Sequence, residues 1–149
     1  MKNFENKNVI ITGGTAGIGF ATTQAFLNEG AQVWITGRSL ETLQKIKNEI
    51  NNDKLNIIVS DTSNLAGINL LDIEIKKQNI KIDVLFLNAG IATFKPIALS
   101  TEEDFDSQFN TNVKGAFFTL QKLIPFLNEG ASVIINGSTN ATASALGSS

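Results

Sequence analysis

The 149-residue sequence contains no cysteine, no histidine and no tyrosine. Without cysteine, disulfides, thiolate nucleophiles and cysteine zinc sites are excluded together. Without histidine, the usual proton carrier near neutral pH and the commonest imidazole ligand are missing, so a Ser-His-Asp hydrolase is ruled out. Charge is sparse as well: the net charge is −2, and Lys and Arg are scattered instead of striped, which leaves no electrostatic footprint for nucleic acid. No apolar run is long enough to span a bilayer, and the opening MKNFENKNVI lacks the apolar stretch of a signal peptide. The sequence therefore reads as cytoplasmic, with neither membrane nor nucleic acid as a partner.

What is present is core-forming material. With 42 % hydrophobic residues the chain describes a globular core rather than a disordered or coiled-coil segment. Short apolar runs at 8–12, 32–36, 55–60, 83–88 and 132–136 alternate with longer amphipathic stretches. That alternation is the signature of βαβ units and an α/β fold with a parallel sheet. The runs are continuous rather than period-two, as expected of strands covered on both faces. In the stretch 39–50, Leu40, Leu43, Ile46 and Ile50 fall at helical spacing, with Ser39 placed as N-cap and Glu41 in the first turn. Ser100 or Thr101 offers a cap for a long helix reaching to Asn128, and the tripeptide NEG, at 28–30 and again at 128–130, reads as a helix stop each time. No glycine- or proline-rich linker interrupts the series, so residues 1–149 are expected to form a single domain.

Several positions carry chemistry. TGGTAGIG (12–19) lies between the first strand and the first helix, where Gly13, Thr15, Gly17, Ile18 and Gly19 suit a tight turn, close approach to a pyrophosphate and a helix N-terminus facing it. A plain strand-to-helix connection is the alternative. At the end of the second strand, WITGRS places Gly37 and Arg38 where NAD-using dehydrogenases commonly have a carboxylate for the ribose. A guanidinium there can grip a 2′-phosphate through a forked, charge-assisted contact, worth about 1.5 to 3 kcal/mol, or roughly ten- to a hundredfold in affinity. NADP(H) is accordingly expected over NAD(H), the alternative being a solvated arginine. After the fourth strand, LNAG offers the Asn88 amide to tie strands together and the small Ala89 and Gly90 to let a ribose approach.

The spacing of Gly13, Gly17 and Gly19 resembles the T-G-x-x-x-G-x-G of the short-chain dehydrogenases/reductases, and DTSN (61–64), NAG (88–90), NTNVKGAFF (110–118) and INGS (135–138) follow in that family's order. The resemblance implies a Rossmann-like, doubly wound parallel sheet in three αβα layers, here with about five strands. It further implies that Asp61 hydrogen-bonds adenine with Thr62 near the ring, that Asn112 helps hold a water in a proton relay, and that Ser138 is the catalytic serine that hydrogen-bonds a small-molecule carbonyl or alcohol substrate. Read without it, Asp61 is a turn or cap residue and Asn112 a satisfied structural amide.

The family's general acid, a Tyr with a Lys four residues later, would fall just after Ser149. The chain is thus expected to be the first part of a longer protein and to have little or no reductase activity alone, since lost general acid catalysis costs about 10²- to 10⁴-fold. Exposure of the strand SVIIN and of the Phe117, Phe118 and Leu120 helix surface is expected to favour a homo-oligomer. A silent NADPH-binding module and an assembly subunit are the competing readings.

Overall fold

Continuous apolar runs form the strands of a single five-stranded sheet in the computed structural model, which describes residues 3–138; the reading of the tail from residue 139 onward lies outside them. The strands are β1 (Asn8–Ile11), β2 (Gln32–Gly37), β3 (Leu55–Val59), β4 (Ile82–Leu87) and β5 (Leu127–Ile135). All pairings are parallel, in the order β3-β2-β1-β4-β5. Alternate side chains feed two cores. Val9, Ile11, Val33, Ile35 and Phe86 pack on one face, and Ile10, Trp34, Leu85 and Leu87 on the other. The first face is covered by α1 (Gly17–Asn28) and α2 (Leu40–Ile50), the second by α3 (Leu65–Lys77) and α5 (Ala116–Leu123), which yields the three-layer, Rossmann-like arrangement. Because the chain winds from β1 out to β3 and then returns to β4, the strand order reverses between β1 and β4, and a crevice opens there at the carboxyl ends.

Helix starts follow their caps. The Ser39 Oγ accepts from the Thr42 N–H at 3.2 Å, and the Asn64 side chain accepts from the Gly67 N–H at 2.8 Å. Thr101 and Asp104 form a reciprocal capping box that starts α4 (Glu102–Phe109). Of the apolar stripe on α2, Leu43 and Ile46 are buried but Leu40, at the first position, remains 51 % exposed.

Two expectations need correction. The long helix is not continuous: α4 passes into a π-helical turn, Asn110–Gly115, before α5, and a 3-10 turn (Ile124–Phe126) ends it. The second NEG is not a helix stop either, since residues 128–130 lie within β5. There the pairing steps from Ile82↔Leu127 to Val84↔Ser132, and Gly130, with φ +76°, absorbs the extra residues as a bulge. A glycine after a helix and a glycine in a strand bulge satisfy the same backbone need, which is why the tripeptide misleads. On the outer surface Phe117 is exposed and β5 leaves Val133, Ile134 and Ile135 accessible, whereas Leu120 packs against the second core.

Asp83 fastens the opposite, amino end of the sheet. Its carboxylate accepts from the Asn8 N–H (2.9 Å), the Lys7 Nζ (3.1 Å) and the Asn128 Nδ2 (3.1 Å), joining the starts of β1, β4 and β5. Burial pushes this carboxyl up, but the Asn8 N–H, the Asn128 amide and the Lys7 ammonium together pull it further down, to below its ordinary 3.8. A folded-state value below the unfolded one means stabilisation that is present above the unfolded value and is lost as pH falls through the folded one. Asp83→Ala is expected to lower stability by about 1 to 3 kcal/mol at pH 7, read from urea midpoints. The gap between the two proteins should narrow below pH 3.8. An equal gap at both pH values would refute the role of the charge.

Candidate functional site

The turn between β1 and α1 is shaped by what cannot fit there. Gly13 has φ +66°, and a Cβ on it would stand 2.9 Å from the Ala89 Cα. A Cβ on Gly19 would stand 2.2 Å from the Gly13 carbonyl oxygen and 2.6 Å from the Asn88 Nδ2. Glycine at both positions therefore lets the turn, α1 and the end of β4 come into direct contact. Asn88 completes the join. Its Nδ2 donates to the Thr12 and Gly13 carbonyls, each at 3.2 Å, while its Oδ1 accepts from the Asn136 Nδ2 at 2.9 Å. One amide thus links the carboxyl ends of β1, β4 and β5.

Beneath it lies a hydroxyl that sequence reasoning passed over. The buried Thr12 Oγ1 accepts from the Asn88 N–H at 2.9 Å and from the Ala89 N–H at 3.0 Å. The available signal was a threonine closing an otherwise apolar buried strand, a position where a hydroxyl needs partners.

A cleft of about 340 Å³ opens above this network. From the glycine turn come Gly13 and Thr15, and from the end of β2 comes Arg38. Asp61 and Thr62 enter from beyond β3, and Asn88, Ala89 and Gly90 from beyond β4. Four loops that the sequence separates by tens of residues thereby share one space. Gly17, Ile18 and Gly19 do not line it; Gly19 acts through packing, and Ile18 is exposed on α1. Ile91 lines it as well, and so do Thr36, Ser60 and Thr111, which the sequence did not single out. Asp61 also serves its own turn, its Oδ1 accepting from the Ser63 N–H at 3.0 Å.

Several features of the cleft fit a dinucleotide. Thr36 lines the cleft, and its Oγ1 is buried without a hydrogen-bond partner, a polar atom left unsatisfied in the cleft wall. The N-cap of α1, Ala16, supplies no side-chain hydrogen bond, so its first N–H groups are not occupied by a cap. Arg38 is exposed at the rim, and among the described residues no ion pair involves it. No group of three or more Asp, Glu, His or Cys that could hold a metal occurs among the described residues, and none of their helices is long and apolar enough to cross a membrane.

The two expected catalytic residues lie off this lining. Asn112 sits in the π-helical turn with its amide doubly engaged: the Ile91 N–H donates to Oδ1 at 2.9 Å and Nδ2 donates to the Ile91 carbonyl at 2.8 Å. It borders a second, largely apolar cavity of about 410 Å³ beside Phe105, Phe109 and Val113. Ser138 stands three residues beyond β5, on the carboxyl side of the sheet where the cleft opens.

Residues 7–148 match the family described as short chain dehydrogenase. Among individual proteins, the chain is 33 % identical over 147 residues to the oxidoreductase asL5 of Sarocladium schorii, covering 97 % of this chain and 59 % of that protein. It is 34 % identical over 122 residues to the NADP-dependent 3-hydroxy acid dehydrogenase YdfG of Escherichia coli K12, covering 81 % of this chain and 49 % of that one. The chain thus spans about half to three fifths of the length of these relatives. The RhlG/NADP active-site complex of Pseudomonas aeruginosa superposes with a TM-score of 0.87 at 26 % identity, covering 95 % of this chain and 58 % of that one.

Proposed function

Because the chain belongs to the short chain dehydrogenase family, we propose that its cleft binds NADP(H) in preference to NAD(H) and serves the oxidoreduction of a small-molecule carbonyl or alcohol. The observation that carries the preference is Arg38. Its guanidinium stands at the rim of the cleft, follows Gly37 where a ribose-binding carboxylate would otherwise sit, and makes no ion pair among the described residues. The NADP named for YdfG and for the RhlG complex supports the same direction.

When bound, the nicotinamide supplies or accepts the hydride. The residues of this chain then divide the remaining work. The glycine turn and the uncapped start of α1 receive the pyrophosphate. Asp61 and Thr62 flank the adenine, and Ala89 and Gly90 leave room for a ribose. Ser138 donates to or accepts from the substrate oxygen, orienting it for transfer. Asn112 fixes the backbone at Ile91, beside the cleft, with both atoms of its amide. The exposed apolar stripe of Phe105, Phe109, Val113 and Phe117 supports a homo-oligomer.

Nucleotide fluorescence titrations with NADPH and NADH test the preference. Arg38→Ala is expected to weaken NADPH roughly ten- to a hundredfold while changing NADH little. An unchanged ratio of the two affinities would remove Arg38 from the site.

A further inference from the structure

Between Gly90 and α4 the chain is fastened in a regular way. Residues 91, 93 and 95 are half-buried while 92, 94 and 96 are exposed, the alternation of extended chain. Each half-buried position meets a helix residue four places from the last. The Ile91 N–H donates to Asn112 (2.9 Å), the Thr93 N–H donates to the Gln108 Oε1 (3.2 Å), and the Lys95 Nζ pairs with the Asp104 Oδ2 (2.5 Å). Two residues of extended chain advance about 6.6 Å and four of a helix about 6 Å, so the two periods run nearly in step. The segment is therefore laced antiparallel to the helix by three rungs, one at each matching step.

The rungs are unequal. The rung at Asp104 is held in place by the Thr101 N–H (3.0 Å) and the Thr101 hydroxyl (2.9 Å), but the Lys95 side chain is 42 % exposed, and an ion pair so placed contributes little. The rung at Asn112 abuts the cleft, where Gly90 and Ile91 form the wall and a Cβ on Gly90 would stand 3.2 Å from the Asn112 Oδ1. Gln108 joins these two rungs. Without its acceptor, the hydrogen bonds that fasten residues 91–95 to the helix, among the described residues, would be the Asn112 clasp and a solvent-screened end.

We propose that Gln108 is a positioning residue: by binding the Thr93 N–H it keeps Ile91 clasped to Asn112, and through Ile91 it holds one wall of the cofactor cleft, an effect on affinity that rests on the nucleotide reading above. Gln108 is not itself among the residues that line the cleft.

Amide hydrogen exchange and NADPH titration on the 149-residue chain test this together. Gln108→Met keeps the size and removes the acceptor, whereas Gln108→Glu keeps an acceptor for Thr93. The methionine variant is expected to speed exchange not only at Thr93 but about tenfold at Ile91, whose own acceptor is untouched. It should also raise the Kd for NADPH about three- to tenfold. The glutamate variant is expected to restore both. Faster exchange at Thr93 alone, or a faster Ile91 amide with an unchanged Kd, overturns the proposal. If the unmodified chain bound no NADPH, the nucleotide reading would fall, while the Ile91 exchange rates would still decide whether the rungs act as a unit.

Discussion

Gly19→Ala is expected to weaken NADPH at least about a hundredfold and to destabilise the fold, although it adds a single methyl group. The new Cβ would lie 2.2 Å from the Gly13 carbonyl oxygen and 2.6 Å from the Asn88 Nδ2. Neither neighbour can retreat freely. The Asn88 amide already donates to the Thr12 and Gly13 carbonyls and accepts from Asn136, so any shift that admits the methyl breaks part of that network. Overpacking of this kind costs about 1 to 3 kcal/mol, and more where backbone must move. The displaced atoms are also those that shape the glycine turn beside the cleft, which the proposed function assigns to the pyrophosphate, so affinity should suffer beyond stability. Gly17→Ala provides the contrast. A Cβ there meets nothing within 4 Å, although φ is +52°, so it carries backbone strain without a collision. NADPH titration and urea unfolding of both variants distinguish the two effects. Near-normal NADPH binding by Gly19→Ala would show that the close approach does not hold the turn.

Thr12→Val should be the most destabilising nearly isosteric change near the cleft, at about 2 to 4 kcal/mol. Shape is nearly conserved, so the cost is polar. Valine leaves the Asn88 and Ala89 N–H groups without the acceptor that the Thr12 Oγ1 provides at 2.9 and 3.0 Å, in a place closed to water at Thr12 itself. Since these two amides begin the LNAG loop, Ala89 and Gly90 should also lose their placement in the cleft. Thr12→Ser keeps the hydroxyl and gives up only a methyl, so it is expected to retain most of the stability and most of the affinity. Urea midpoints for the three proteins measure the difference. Equal losses for valine and serine would mean that packing, and not the two hydrogen bonds, explains the effect.

Much of this architecture was legible in the sequence because its causes are local. Continuous apolar runs announce strands buried on both faces, and Ser39 and Thr101 cap helices through hydrogen bonds that reach only three residues along the chain. The glycine turn, the strand before it and the helix after it are likewise neighbours in sequence. Legibility failed where one residue type answers two needs, as with Gly130, which ends no helix but forms a bulge in β5. It failed again at the break between α4 and α5. The π-helical turn there contains Gly115, where an added Cβ would stand 2.4 Å from the Thr62 carbonyl oxygen on another loop. No local pattern of apolar residues reports such a contact.

By itself, then, the sequence determined the parallel α/β class, the order of elements and the loops that carry the candidate site, because periodicity, caps and glycine spacing act within a few residues. Only the tertiary structure decided which of those loops meet. The Thr12 hydroxyl serves amides 76 and 77 positions away, Asn136 reaches Asn88 across 48 positions, and Asn112 clasps Ile91 across 21. Such partnerships arise from the strand order and from the rise of helix against extended chain, so their geometry exists only once the sheet has assembled.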